Sequence, residues 1–322
     1  MFHGSTYLSR WAGAFTVLLS ILSGTGTLRA ETAGKEPFGL LVMAHGGSKE
    51  WNQSVLDAVE HLQAPYPVAV AFGMADACSI QNEVRALEEQ GAQKVGVVRL
   101  FVSGESWYER TEQILGLRAG APSAAQEAAA CEGGGHAAHH HSMALFRIDS
   151  RASFALSKQG LAEAPEIGAI LVDRAGSLSR EPKKEDILVL AHGPGDDDEN
   201  RRWLAHMEAR VAELRTSRPY HDVAVMTLRE DWPEKRKSAQ EQVRAFVSRS
   251  SKEGRRVIVL PFRLSGFGPY AEALAGLDYQ ADRSGFLPHG NVTRWIARQA
   301  EELRTGPFRT AHPDRPNPQE EP

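Results

Sequence analysis

Short apolar runs alternate along this chain with segments in which apolar residues recur every three or four positions. The runs are typical of strands buried on both faces of a sheet, and the periodic segments are typical of helices that cover such strands. We predict strands at 38–44, 68–73, 94–102, 186–191, 222–228 and 256–262. Helices are predicted near 49–63, 79–90, 107–117, 198–215, 234–250 and 269–275. This alternation indicates βαβ units, so the predicted fold class is α/β, with parallel sheets flanked by helices.

The same pattern occurs twice in the chain. The motif Ala-His-Gly ends the first predicted strand at His45 and ends the fourth at His192. An apolar strand that ends in Ser-Gly occurs in each copy as well, at Ser103 and at Ser265. Repetition at this scale indicates that one structural unit is present twice.

Two similar copies predict two similar domains, at 36–181 and 182–305, with the ligand cleft between them. Ligands of open α/β sheets are expected at the carboxyl ends of the strands, where both Ala-His-Gly motifs lie. The segments 164–175 and 289–300 match each other more loosely, and each is predicted to be an amphipathic helix that closes its copy. The remaining tail, 306–322, is rich in proline and charge and is predicted to be disordered.

The first thirty residues have the features of a secretory signal peptide. Arg10 precedes the apolar run 11–22, small residues follow, and Ala30 offers a cleavage position. The run is shorter than the ~20 residues that a spanning helix needs. We therefore expect an exported, periplasmic protein that begins near Glu31 and has no stable membrane insertion after cleavage; an uncleaved anchor is the alternative.

The charge of the chain argues against one class of partner, and its cysteine content limits the disulfides that it can form. The 322 residues include 37 basic and 41 acidic side chains, a formal net charge of −4. No global positive field exists to bind a nucleic-acid backbone, so nucleic acid is not an expected partner. Cys78 and Cys131 are the two cysteines, which permits one disulfide but no disulfide framework.

The repeated histidines are the first candidates for chemistry. At the end of a buried strand, the ring of His45 or His192 lies at the lip of the sheet, and the following glycine lets a ligand approach the backbone. Imidazole can accept a proton at neutral pH and can bind Co²⁺, Ni²⁺, Fe²⁺ or Zn²⁺. Metal insertion into a tetrapyrrole needs both abilities. The alternative is a histidine that only orders the turn.

The first copy resembles the class II tetrapyrrole chelatases of the sirohydrochlorin cobaltochelatase type. The segments that carry this resemblance are 41–48, 71–72, 80–91 and 97–103. It covers most of 38–118 and, more faintly, 186–303. It implies two α/β domains around a tetrapyrrole cleft, and insertion of Co²⁺ or Fe²⁺, with Ni²⁺ as a further candidate, without a nucleotide. His45 corresponds to the family's first active-site histidine.

The chain departs from this family after the third strand, where members carry a second histidine. No histidine occurs there in the first copy, and Glu105 is the nearest residue that can ligate a divalent ion. The alternative is that Glu105 is a solvated loop glutamate. In the second copy the same place, 266–270, has no ligand at all. Its Phe267 and Tyr270 either present a flat apolar surface to a macrocycle or pack against their own helix.

Further candidates lie near the ends of other elements. Glu230 and Asp231 follow the second strand of the second copy and can serve as metal ligands or bases. Arg229 and Arg236 either pair with these carboxylates or bind the carboxylates of sirohydrochlorin. His289 precedes a helix and either faces the cleft or caps that helix.

A low-complexity insertion near 119–145 distinguishes the first copy from the second. It is rich in Ala and Gly and contains Cys131 and a histidine cluster made of His136, His139, His140 and His141. Several imidazoles near a cysteine can collect soft or borderline metal ions. The alternative is a neutral linker.

Together these features predict an exported two-domain lyase that inserts a divalent metal into a sirohydrochlorin-type tetrapyrrole. His45 is the expected metal ligand and proton acceptor, and His192 is its symmetry-related counterpart. The alternative is an exported metal-binding or tetrapyrrole-binding protein without catalysis, which the missing second histidine favours. A hydrolase is less favoured, because no Gly-x-Ser-x-Gly motif occurs.

Overall fold

The structure is a computed structural model that describes residues 37–62, 64–123, 131 and 144–311. The predicted signal peptide, the histidine cluster and the end of the tail lie outside the described residues. Within the described ranges, no helix has both the length and the apolar character that crossing a membrane requires.

The first sheet contains four parallel strands in the order β2-β1-β3-β4, with a fifth strand, β9, antiparallel to β4. The strands are β1 Phe38–Ala44, β2 Val68–Phe72, β3 Lys94–Leu100, β4 Ser153–Leu156 and β9 Arg309–Thr310. All seven residues of β1 are buried, which agrees with the continuous apolar run in the sequence.

The second sheet repeats this order as β6-β5-β7-β8, and all its pairs are parallel. The strands are β5 Glu185–Ala191, β6 Asp222–Thr227, β7 Arg256–Phe262 and β8 Gln280–Ala281. The predicted α/β fold class is thereby confirmed. The sequence analysis missed β4, β8 and β9, because strands of two to four residues are too short to show a periodic pattern.

Eight α-helices connect and cover the strands in the described part of the chain. They are α1 Lys49–Glu60, α2 Ala77–Glu89, α3 Tyr108–Ile114, α4 Glu166–Leu178, α5 Asp197–Ser217, α6 Pro233–Lys252, α7 Tyr270–Ala273 and α8 Gly290–Thr305. Ser48, Asp76 and Asp196 begin three of them, and each side chain accepts a hydrogen bond from the backbone N–H three residues further on. Pro233 occupies the first turn of α6, where its missing N–H costs nothing.

The two looser repeats, 164–175 and 289–300, are helical as predicted. The helix from the first copy packs against the second half of the molecule, and the helix from the second copy packs against the first half. Helix α8 packs on β3 and β4 of the first sheet, and α4 packs on α5 and on β7 of the second sheet. Trp295 in α8 donates its indole N–H to Gln159 at 3.1 Å, and Arg298 pairs with Glu166 at 2.8 Å. One continuous apolar cluster therefore joins both sheets.

A disulfide joins Cys78 in α2 to Cys131 in the insertion. Cys78 is nearly buried among the apolar residues of the outer face of the first sheet. The bridge closes a loop that spans 53 residues of sequence. The insertion is thereby tethered covalently to the body of the first half.

The carboxyl-terminal tail differs from the prediction at its start. Residues 306–322 were expected to be disordered, yet Arg309–Thr310 forms β9 on the free edge of β4. Phe308 adds an edge-to-face contact with Phe38 at 6.2 Å. An open strand edge offers backbone hydrogen bonds to any extended segment within reach. The proline and charge content of the tail does not reveal that such an edge is nearby.

Candidate active site

His192 follows β5 directly and lies at the carboxyl edge of the second sheet. Gly193 has a φ of 76°, and a Cβ there would lie 2.5 Å from the Cβ of Thr227, so glycine is required for the close approach of β6. The Nδ1 of His192 lies 2.6 Å from the carbonyl oxygen of Gly193 and therefore donates a hydrogen bond to it. Nε2, the other ring nitrogen, faces the loop after β6 and lies within hydrogen-bond distance of Asp231.

Two carboxylates from the loop after β6 face this nitrogen. Asp231 Oδ2 lies 2.7 Å from His192 Nε2, and Glu230 Oε1 lies 3.5 Å from it. The Asp231 side chain is 69% exposed, whereas that of Glu230 is 8% exposed. The second oxygen of Glu230, Oε2, is buried and has no hydrogen-bond partner. The site thus combines an imidazole, a solvent-facing carboxylate and a buried carboxylate with a free oxygen.

Arg229 holds the loop that carries the histidine. Its backbone has a φ of 56°, and its side chain is turned inward. The guanidinium donates to the carbonyl oxygens of Pro194 and Gly195 and to Asp197 at 2.9 Å. Nε and Nη2 thus hold the residues after His192 in place. That Arg229 binds a tetrapyrrole carboxylate stays a prediction.

Phe267 and Tyr270 are buried, as the second of the two sequence-based alternatives requires. Tyr270 is fully buried, and its ring lies 5.6 Å from that of Phe267, which in turn stacks on Tyr279 at 6.2 Å. Burial raises the pKa of the Tyr270 hydroxyl well above its usual value. Neither ring presents a flat surface to a macrocycle, because both belong to the apolar core of the second half.

Trp232 is a site residue that the sequence analysis did not identify. It is one of two large apolar side chains that are exposed in the described part of the chain, at 37%, and its ring lies 5.7 Å from the His192 ring at 87°. The backbone of Gly195 lies against the indole, because a Cβ there would be 2.3 Å from Nε1. Trp232 could have been identified from the sequence because it directly follows Glu230 and Asp231, two predicted site residues.

His45 occupies the equivalent position in the first half but has different neighbours. Its Nδ1 lies 2.8 Å from the carbonyl oxygen of Gly46, as in the second half, and its ring lies 6.5 Å from that of Trp51. When the two halves are aligned by the register of their strands, Ala75 and Asp76 occupy the positions that Glu230 and Asp231 have in the second half. Asp76 caps α2 and accepts a hydrogen bond from the backbone of residue 144. Within the described ranges, no hydrogen bond or ion pair joins His45 to a carboxylate.

Glu105, the predicted substitute for the missing histidine, is paired with an arginine. Both of its oxygens accept hydrogen bonds from Arg202 in α5, at 2.6 and 2.7 Å, and both side chains are half exposed. These bonds hold the pKa of the Glu105 carboxyl below its ordinary value. The buried guanidinium of Arg99 binds the carbonyl oxygens of Gly104 and Ser106 and so holds this loop in place. Desolvation lowers the pKa of Arg99 to about 10.

His289 caps a helix, which was one of its two predicted roles. Its Nδ1 accepts a hydrogen bond from the backbone N–H of Asn291 at the start of α8, at 3.1 Å. Its Nε2 lies 3.0 Å from Asp173 in α4. Both ring nitrogens therefore link the two exchanged helices, and His289 is not part of the His192 cluster.

The described residues contain no group of three His, Cys, Asp or Glu side chains arranged around a space for a metal ion. At His192 the imidazole and the carboxylates contact one another directly instead of surrounding an empty position. The four histidines of the predicted metal-collecting insertion lie outside the described residues, so that hypothesis remains a prediction.

Comparison with known proteins defines the class of fold. No protein-family model matches the chain, and no curated protein matches its sequence. Three of the solved structures that match are SirB proteins or a protein with structural similarity to chelatases, at 14 to 18% sequence identity, which establishes the fold.

Three such structures are particularly similar. SirB from Bacillus subtilis with Fe³⁺ has a TM-score of 0.57 and 14% identity, and the match covers 83% of this chain and 96% of SirB. The sirohydrochlorin chelatase SirB from B. subtilis subspecies spizizenii in complex with cobalt has a TM-score of 0.50 and 14% identity, with coverage of 82% and 94%. A multi-domain Deinococcus radiodurans protein with structural similarity to chelatases has a TM-score of 0.51 and 18% identity. The match covers 84% of this chain but only 57% of that protein.

Proposed function

We propose that this protein inserts a divalent metal ion, Co²⁺ or Fe²⁺, into a sirohydrochlorin-type tetrapyrrole, and that the working site is that of His192. The observation that carries the proposal is the contact of Nε2 with Asp231 and Glu230 at the carboxyl edge of the second sheet. Open α/β sheets bind ligands at this edge. The chelatase-like fold supports the same reaction class.

The metal is a substrate that must be bound and then released to the macrocycle. His192 Nε2 and the free oxygen of Glu230 are donors of the types that Co²⁺ and Fe²⁺ accept. Two protein donors leave coordination positions open for water and then for the pyrrole nitrogens. An open coordination sphere suits a site that transfers its ion, whereas structural metal sites are closed.

The same residues can accept the protons that the reaction releases. The incoming ion replaces two inner N–H protons of the macrocycle, so a base must accept them. The His192 ring is held by its bond to Gly193 with Nε2 toward the site, and exposed Asp231 can pass a proton from the ring to water. Trp232 provides an exposed flat surface next to the ring, on which a planar macrocycle can stack.

The resemblance in sequence pointed to His45, whereas the geometry supports His192. His45 is exposed and contacts its own turn and Trp51, without a neighbouring carboxylate in the described structure. In this proposal the first half contributes fold and core, and the second half contributes the chemistry.

Export to the periplasm is part of the proposal. The Cys78–Cys131 disulfide supports it, because stable disulfides are typical of oxidising compartments outside the cytoplasm. Cleavage after the predicted signal peptide would give a chain that begins near Glu31. Mass spectrometry of the protein from its native host tests this, and a product that begins at Met1 would contradict it.

Metal or tetrapyrrole binding without catalysis is the second candidate. The absence of a three-ligand group from the described residues favours it. The deciding experiment incubates the purified mature protein anaerobically with excess sirohydrochlorin and Co²⁺ and follows the visible spectrum. Catalysis predicts many equivalents of metallated product per protein, at a rate proportional to protein concentration and above the spontaneous rate. A spectral change that stops at one equivalent would identify a binding protein.

A further inference from the structure

A guanidinium lies next to the buried carboxylate of the proposed site. Arg263 follows β7 directly, and its Nη1 is 3.5 Å from Glu230 Oε1. The same oxygen is 3.5 Å from His192 Nε2. Oε1 of Glu230 thus has a fixed positive charge on one side and the proposed metal-binding nitrogen on the other.

The position of this guanidinium is defined by the surrounding residues. It lies over the ring of buried Tyr270, 5.5 Å from its centroid. Gly268 has a φ of 60°, and a Cβ at this position would be 1.7 Å from Arg263 Nη1. Only glycine therefore allows the backbone to pass so close to the guanidinium. The ring, the glycine and Glu230 together place the charge beside the site.

The ion pair between Arg263 and Glu230 leaves the carboxylate incompletely bound. A separation of 3.5 Å is at the outer limit of a hydrogen bond, and Glu230 Oε2 has no partner although the side chain is nearly buried. Buried carboxylates normally have full hydrogen bonding or close partners. Glu230 can therefore accept a second cation while Arg263 stays nearby.

We propose that Arg263 is a resident counter-cation that limits how tightly Glu230 and His192 hold a divalent ion. The inference rests on the proposed function and deepens it. A metal that binds Glu230 encounters repulsion from the guanidinium beside it, and this repulsion is strong where water is partly excluded. A weaker hold favours release of the ion to the macrocycle. Arg263 thus sets how tightly the site retains its metal ion.

A purely structural role for Arg263 predicts the opposite result. If the guanidinium only holds the loop and Glu230 in place, its removal disorders the ligands and weakens metal binding. If it acts as a counter-cation, removal of its charge strengthens metal binding. The direction of the change in affinity therefore separates the two roles.

The test measures Co²⁺ affinity of the full chain by anaerobic calorimetry, using the metal alone as probe. The relevant component is the one that is lost in His192→Ala and Glu230→Gln. Arg263→Met keeps the aliphatic stem over Tyr270 and should bind Co²⁺ about ten-fold more tightly, as expected when a nearby like charge is removed. Arg263→Gln is a second neutral variant with the same expectation, and Arg263→Lys should stay near the wild type. Arg283→Met is the control, because Arg283 lies over the ring of Phe267, 5.8 Å from its centroid, and forms no ion pair with Glu230 in the described structure.

A second measurement follows the transfer of Co²⁺ from the protein to the macrocycle. In single-turnover mixing with sirohydrochlorin, the neutral variants should release Co²⁺ more slowly than the wild type. Equal or weaker Co²⁺ binding by Arg263→Met and Arg263→Gln would overturn the inference while leaving the proposed function intact. Co²⁺ binding by the wild type that does not depend on His192 or Glu230 would overturn both.

Discussion

The two Ala-His-Gly turns have the same local structure and different surroundings. In both, the histidine follows a buried strand, and its Nδ1 bonds the carbonyl oxygen of the next glycine. His192 faces two carboxylates from the loop after β6, whereas the equivalent loop after β2 provides Ala75 and a helix cap. A strand end places an imidazole, but the neighbouring loop decides whether that imidazole has a partner for chemistry.

The strongest test of this comparison replaces each histidine separately. His192→Ala should reduce the metal-insertion rate about 10²-fold or more, because ligand and base are lost together. His45→Ala should leave the rate close to that of the wild type. Initial rates with sirohydrochlorin and Co²⁺ measure both. A protein that tolerates His192→Ala but loses activity with His45→Ala would place the working site in the first half, as the sequence resemblance implies.

The next test makes the second half resemble the first. Glu230→Ala introduces the residue that stands at the equivalent position after β2. It should remove the His192-dependent Co²⁺ binding, a loss of about 10²-fold, because one of the two proposed metal donors is absent. The matched control is Glu272→Ala, since this glutamate is 80% exposed and does not contact His192. Calorimetric titration with Co²⁺ provides the measurement. Equal losses in both variants would indicate a general charge effect and not a site.

The two tryptophans allow a smaller comparison. Trp232→Ala should weaken sirohydrochlorin binding about five-fold, because a stacking surface beside His192 is removed. Trp51→Ala, which alters the ring beside His45, should have little effect. Absorbance titration without metal gives both dissociation constants. Should the two variants weaken binding equally, the macrocycle would have to contact both halves.

The smallest expected effect concerns the loops after β3 and β7, where Glu105 and Phe267 are equivalent. The pKa of Glu105 is lowered in the folded protein by Arg202, so the pair adds stability above the unfolded pKa of about 4.3 and loses it as pH falls through the folded value. Glu105→Gln should therefore lower the urea midpoint slightly at pH 7, and this difference should shrink as the pH falls below the unfolded pKa. Because the pair is half exposed, the effect should shrink in high salt. An unchanged midpoint at pH 7 would show that the pair contributes no stability.

Most of the fold could be predicted from the sequence, and less of the site. The twelve strands and helices predicted for the two βαβ copies are all present, with boundaries within about three residues, because apolar periodicity is a local property. The two predicted closing helices are present as well, although α8 continues to Thr305. The position of His192 at a sheet edge could be predicted for the same reason. That Glu230 reaches the ring and that Arg229 turns inward could not, since each depends on the left-handed backbone after β6.

What the sequence determined by itself is the α/β repeat and the two histidine turns. Both follow from local patterns: buried runs form strands, and glycine permits the positive φ that each turn requires. Only the tertiary structure decided that α4 and α8 exchange between the halves and that Tyr270 is buried. It also decided that, of the two turn histidines, His192 has carboxylate partners whereas His45 has none among the described residues. These outcomes depend on contacts between segments far apart in sequence, where packing and not local preference determines which side chains meet.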